Sequence, residues 1–319
     1  MNKNELLDEI ASYISKLENS SINDDSQALL ALCINIELIF KTGYKSTFKI
    51  TSLEFRDYWH LFGEISSWCK KKSYPIDVYY NTLLSRIRRE RSLVTNLGRG
   101  RLMIRSLLKH RMMKFIFEFV IRNESFIKTY YYQTDNYIND DDFLQRIRCL
   151  AERIDKMDFP INLLNSDFLE ESWYMPKYQK IDFVPCRSLG ISIRNIEGHQ
   201  LVDSIDPFGV AGENGKIELG DIISRVLESS IRNYIGPIKG LLDLHKRKPI
   251  SLWVTKIQCH HGEIYHPILR ILKRANLTYI IERRISQKSL KGKSFTSYEL
   301  TMEKLREPLS KERLLRFWK

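Results

Sequence analysis

The sequence predicts two domains of different class: an all-α half, then a small α+β unit with one or two helices. Three observations lead there. A chain of 319 residues is long for a single hydrophobic core. Up to about residue 165 the apolar side chains recur at three- and four-residue steps, the period of a half-buried helix. From about residue 180 the pattern changes to short alternating runs broken by glycines.

The helices can be taken in order. Leu6, Ile10, Tyr13 and Ile14 share one face of a first helix, and the polar run NSSINDD follows it. Leu29, Leu32, Cys33, Ile36, Ile39 and Phe40 form a second such face, with Gly43 where a C-terminal cap would fall. Phe55, Tyr58, Trp59, Phe62, Ile65, Ser66 and Cys69 mark a third, ended by Lys70–Lys72 and by Pro75, which cannot continue it. Leu83, Leu84 and Ile87 suggest a fourth. Leu102–Leu108, Phe115–Val120 and Phe143–Ile154 complete the set, the last capped by the acidic run Asp140–Asp142. The segment NSDFLEESWYMPKYQK (165–180) reads as a connection. Strands are expected at Leu189–Ile196, Leu201–Ile205, Asp221–Val226 and Ile250–Ile257, with a helix over Tyr234–His245. The expected organisation is an N-terminal helix at 1–23 packed on a helical domain at 24–165, a linker at 166–180, a β-rich domain at 181–258, and a basic tail at 259–319.

Charge narrows the functional classes. The net charge of +12 is concentrated in two zones. Residues 86–128 hold twelve Lys/Arg against three glutamates, and 270–319 hold fourteen against five acidic residues. Such zones suit acidic proteins, anionic lipid or nucleic acid. In GRGRLMIRSLLK (98–109), Arg101, Arg105 and Lys109 recur every fourth residue and stack like charges on one helix face. Each such pair costs about 0.2–0.5 kcal/mol, so local stability does not account for them, whereas a surface that meets an acidic partner does. Arg99, Arg101, Arg105 and Lys109 are therefore the candidate partner-binding residues. Charge reversal at Arg101 and Arg105 is expected to abolish capture of that partner and leave the helices intact.

Other chemistry finds little support. The five cysteines are odd in number, widely spaced and without a CxxC pair, as expected of reduced thiols in a cytoplasmic protein. No secretory leader is evident, and no apolar run approaches the ~18 residues that span a bilayer. Cys259, His260, His261 and His266 lack the second ligand pair a structural zinc site uses, so no metal is expected, and no cofactor. No P-loop, nucleophile elbow, HExxH or dinucleotide fingerprint is present, and no enzyme is expected. The tail interleaves basic and aromatic residues without a nucleic-acid-binding signature, so nucleic acid is not an expected partner. The tail is expected to be mobile, with one amphipathic helix near 299–318, and to favour anionic vesicles. The alternative to a protein adaptor is a lipid- or nucleic-acid-tethered scaffold dominated by this tail.

Three blocks of the helical half resemble the RUN domain. They are ALLALCINIELIFKTGYK (28–45), VTNLGRGRLMIRSLLKHRMMKFI (94–116) with its GRGR run, and DDFLQRIRCLAERIDKMDFPINL (141–163). Leu102-Met103 stands where that family tends to have Ala-Trp, an apolar exchange. The resemblance implies a helical adaptor module that associates with small GTPases of the Rap, Rab and Arf-like groups in vesicle trafficking, peripheral on endomembranes.

The second half is similar to a PDZ domain over 181–258, a small β-barrel or sandwich. SLGI (188–191) stands in the place of that family's Gly-Leu-Gly-Phe loop, with Ser188 for the first glycine. VDSIDPFGVAGENGKIELGDIISRV (202–226) follows its strand, Pro, small-residue and Leu-Gly-Asp pattern. The resemblance implies a groove for a C-terminal or internal peptide. Amides of Leu189, Gly190 and Ile191 would hold the carboxylate, and the ligand would add as a strand. Tyr234, Ile238 and Leu241 would form the facing wall. A slip of one residue would bring in Ile235, Lys239 and Leu242 instead. That wall has no His at its start, which implies apolar ligand residues at the last and third-last positions. The whole reads as a RUN–PDZ adaptor.

Overall fold

The computed structural model describes residues 2–282 apart from 50–53, 73–77, 135, 228, 233, 235, 237 and 260–261. The expected helix near 299–318 lies outside the described residues, as do His260, His261 and Ile235 of the expectations above.

Helix α1 (Lys3–Glu18) starts at a reciprocal cap: Asn2 accepts from the Asn4 amide, and Glu5 accepts from the Asn2 amide. It buries Leu6, Leu7, Ile10 and Ile14 against α2 (Gln27–Lys41) and α8 (Asp141–Lys156). Helix α2 ends where expected, because Gly43 takes φ +72° just beyond it. A short hairpin, β1 (Thr47–Lys49) and β2 (Glu54–Arg56), precedes α3 (Trp59–Lys71) and was not legible in the sequence. Next come α4 (Val78–Arg89), α5 (Asn96–Lys109), α6 (Met113–Arg122) and the short α7 (Glu124–Lys128). Thr95 caps α5 by accepting from the Gly98 amide, and Asp140 caps α8 by accepting from Phe143. Helix α5 is buried on most sides, with Leu102, Met103, Ile104, Leu107 and Leu108 all in the core.

The segment read as a linker is part of this core. A 3-10 turn at Ser166–Glu170 packs on α5, and Leu169, Trp173 and Met175 join the same hydrophobic cluster as α1–α8.

The second half is one antiparallel sheet of six strands with helices, and it is not a closed barrel. Its strands are β3 (Tyr178–Phe183), β4 (Ile191–Ile196), β5 (His199–Ile205), β6 (Ile222–Val226), β7 (Ser229–Ser230) and β8 (Ile250–Thr255). Their order is β3-β8-β6-β5-β4, with β7 on β6. The sheet therefore does not close, and β4 is an edge. Helices α9 (Val210–Asn214) and α10 (Ile238–Asp243) accompany it. Ile181, Val202, Ile223, Leu252 and Val254 form the core with Ile238 of α10. Helix α11 (His266–Arg274) lies within the stretch read as tail. A second compact unit begins at Leu272.

Candidate functional site

The stacked basic residues of α5 turn out to be engaged inside the fold. Arg105 is 2 % exposed. Its Nη2 pairs with the Asp24 carboxylate and donates to the Asn162 carbonyl at 3.3 Å. Asp24 also accepts from the Asn162 amide. Burial pushes the Asp24 carboxyl above its ordinary range, and Arg105 pulls it back.

Arg101 donates from Nε to Glu37 at 3.2 Å and from Nη1 to the Leu169 carbonyl at 3.0 Å, and lies over the Trp173 ring. Glu37 is the hub of this network. It also accepts from the Tyr58 hydroxyl at 2.8 Å and from Trp173 Nε1 at 2.7 Å. Lys109 donates to the Ile161 carbonyl. Arg99 donates to the Leu93 carbonyl at 3.0 Å and to Asn96 Oδ1 at 3.2 Å. Arg101, Arg105 and Lys109 thus hold the connection after α8 and the 3-10 turn onto α5. The four-residue spacing was read as an outward face, and α5 has little outward face to offer.

The two glycines of the run have the same cause. A Cβ on Gly100 would fall 2.6 Å from the Tyr58 ring, and one on Gly98 would fall 3.0 Å from both the Glu170 carboxyl and Leu93. Glu170 needs that approach, because its carboxylate accepts from the Val94 and Thr95 amides at the start of α5. Partners distant in sequence therefore explain the GRGR block. The residues that sequence reasoning missed are those partners, Asp24, Glu37, Glu170 and Trp173, none of which stands out in a local pattern.

The sheet half does present an open groove. The space between β4 and the end of α10 has a volume of about 570 Å3. Leu189, Ile191, Ile193 and Leu242 give it apolar lining, and Arg187 and His245 border it. Gly190 takes φ +74°, and a Cβ there would lie 2.9 Å from the Gly209 Cα, so only glycine fits this turn. The loop carbonyls are fixed from behind: Gly190 accepts from the Asp206 amide at 2.8 Å, and Leu189 accepts from Ala211 at 2.9 Å. Ser188, the residue that replaces the family's first glycine, accepts from the Gly190 amide at 3.2 Å. One of the three amides expected to hold a carboxylate is thus turned onto the loop itself. The Leu189 side chain is buried in the sheet core.

The facing wall differs from the expected one. Helix α10 begins at Ile238, not at Tyr234. Ile238 is buried in the core, Leu241 packs against that core, and Tyr234 is 39 % exposed ahead of the helix. Leu242, Asp243, His245 and Lys246 line the groove instead. His245, at the end of the expected helix, is among these lining residues.

Comparison with known proteins follows this division. Residues 31–165 match the model of the RUN domain family. The helical half is a RUN domain. No curated protein matches the chain. Among solved structures the chain is similar to a mutant of the fifth PDZ domain of InaD, at 16 % identity and a TM-score of 0.24, covering 27 % of this chain and 95 % of that one. That match falls on the second half, whose sheet has six antiparallel strands with two helices beside it.

The RUN domain and the PDZ-like sheet meet through one buried carboxylate. Asp167, in the 3-10 turn, lies 3.6 Å from His199 Nδ1 of β5 and 3.6 Å from Arg232 Nη1. Burial pushes the Asp167 carboxyl up to about 6, against the pull of Arg232. The Phe168 ring stacks on His199 at 5.4 Å. The Tyr265 hydroxyl donates to Asp25 at 2.6 Å, a second tie between the halves. Among the described residues no cluster of His, Cys, Asp or Glu could hold a metal, and no helix is long and apolar enough to cross a membrane.

Proposed function

We propose that this chain is a non-catalytic adaptor whose RUN domain engages a small GTPase of the Rap, Rab or Arf-like groups, or a related transport protein, while its PDZ-like half holds a peptide of a second protein. The carrying observation is the groove beside β4. Strand β4 is a sheet edge, so its outer backbone groups have no neighbouring strand to pair with. An extended peptide adds there as a further strand, with alternate side chains directed into the apolar lining. RUN and PDZ-like domains are typically non-catalytic interaction modules, which supports this reading.

The composition of the groove sets the ligand. Leu189, Ile191, Ile193 and Leu242 favour an apolar last residue. Asp206 and Asp243 also line the groove and Lys246 pairs with Asp243 at 3.0 Å, so Arg187 is the cation offered to a terminal carboxylate, in place of the amide taken by Ser188. The third-last position has no wall from Tyr234, so its selectivity is expected to be weak. The association of RUN domains with trafficking supports a cytoplasmic protein, peripheral on endomembranes.

The test is affinity capture by the full-length chain. Nucleotide-loaded small GTPases of the three groups are offered together with a mixture of C-terminal peptides. Retention of one GTPase group and of apolar-ended peptides by the same chain is the expected result. Retention of neither contradicts the adaptor reading.

A further inference from the structure

The RUN domain carries a basic pocket that neither half of the adaptor reading uses. Its volume is about 360 Å3, and it lies where the end of β2, the start of α3, the end of α4 and the start of α5 come together. Arg56, Arg88 and Arg99 line it, along with His60, Asn96 and Glu64.

The three guanidinium groups are poorly neutralised. Glu64 is the lining carboxylate, 3.9 Å from Arg56 Nη1, and it is shared with the Tyr130 hydroxyl. Arg99 bonds only neutral oxygens, those of Leu93, Val94 and Asn96. Arg88 has no hydrogen-bond or ion-pair partner among the described residues. Arg56 Nε is buried and has no acceptor, a donor that water does not reach and whose desolvation is uncompensated. Asp57, next to His60, is occupied at the start of α3, where it accepts from the Trp59 amide at 3.0 Å. Three positive charges therefore face one carboxylate across the pocket.

Arg88 is also placed rather than loose. A Cβ on Gly63 would fall 2.5 Å from Arg88 Nη2. The guanidinium rests in the space that glycine leaves on α3, at the pocket edge, although the residue is otherwise exposed.

We propose that this pocket binds a phosphate monoester, free or on a lipid headgroup. A carboxylate brings two oxygens and one charge. A monoester near pH 7 brings three oxygens and about two charges. The uncommitted Arg88 guanidinium, with the charges of Arg56 and Arg99 beside it and one carboxylate opposite, leaves about two uncompensated positive charges, which match the monoester. The concave shape also suits a compact ligand with its oxygens on one centre. The inference does not rest on the adaptor reading, since it needs neither a GTPase nor a peptide.

The experiment uses the full-length chain and soluble inositol 1,4,5-trisphosphate, followed by calorimetry. Vesicles carrying a phosphoinositide are compared with phosphatidylserine vesicles of equal charge. Wild type is expected to bind the soluble probe. Arg88→Gln is expected to weaken it at least about tenfold, the loss of one charge-assisted hydrogen bond. Gly63→Ala retains every charge but displaces the Arg88 guanidinium, and severalfold weakening is expected. Arg88-dependent preference for phosphoinositide over phosphatidylserine vesicles identifies a lipid source. Soluble binding with no Arg88-dependent vesicle binding identifies a free one. The proposal is overturned if wild type binds neither probe, if Arg88→Gln binds as wild type does, or if Gly63→Ala is without effect. Binding of a phosphotyrosyl peptide in place of the inositol phosphate also overturns it.

Discussion

The two halves of the molecule use their signature residues in opposite ways. In the RUN domain, three of the four basic residues singled out around the GRGR run, Arg101, Arg105 and Lys109, are turned inward to hold distant segments of the chain. In the PDZ-like half, the glycine loop and the β4 edge leave their binding geometry open. Helical periodicity states which residues share a face but not what packs on it. A positive-φ glycine beside an edge strand states a backbone geometry directly, and that geometry shapes the groove.

The sharpest way to break this contrast is Arg105→Glu. Arg105 is almost wholly buried beside Asp24, so the variant sets two carboxylates together and leaves no cation. Breaking a buried pair costs about 3–5 kcal/mol, a large fraction of the ~5–15 kcal/mol that holds a typical domain folded. Loss of the cooperative urea transition is expected. A stable, helical Arg105→Glu protein that had lost only a partner would return Arg105 to the surface role. Glu37→Ala is next. It strands Arg101, the Tyr58 hydroxyl and Trp173 Nε1, and destabilisation of about 2–4 kcal/mol is expected in the same assay. Gly100→Ala follows, since its Cβ would strike the Tyr58 ring. Overpacking of this kind costs about 1–3 kcal/mol, where an exposed helical glycine would gain from the same change.

The smallest effect concerns the junction of the halves. The Asp167 carboxyl titrates near 6 when folded, above its ordinary value of 3.8. Between those values the native state holds a proton that the unfolded chain has released, so raising the pH disfavours folding across that window. Asp167→Asn removes the titration. A melting temperature that declines less steeply from pH 4 to 6 is expected, and an unchanged slope would assign the decline to other buried carboxyls such as Asp155 or Asp221, whose burial shifts them the same way.

How legible these features were follows from their range in sequence. Helices with strong apolar periodicity, the caps at Gly43 and Asp140, and the glycine loop are local, and all could be read before the structure. The β1–β2 hairpin was missed because its strands are three residues each. Strand β3 is missed, its first three residues falling in the expected linker, because it pairs with β8, some seventy residues later. The segment at 166–177 looked like a connection because its polar composition hides Leu169, Trp173 and Met175, which belong to the helical core. The four-residue basic stripe misled for the same reason: Asp24, Glu37 and the Ile161 carbonyl come from elsewhere in the chain. In α10, the register is undecided in the sequence because Tyr234 and Ile235 offer equivalent starts, and the observed helix is Ile238–Asp243.

The central claim is that function resides in the open groove while the arginine stripe holds the fold. It is tested most directly by panning a C-terminal peptide library on the full-length chain and on Leu242→Asp, which places a carboxylate in the apolar lining. The account predicts enrichment of an apolar last residue on the wild type and its loss on the variant, with the helical circular-dichroism signal unchanged. No enrichment on the wild type, or equal enrichment on both, would contradict it.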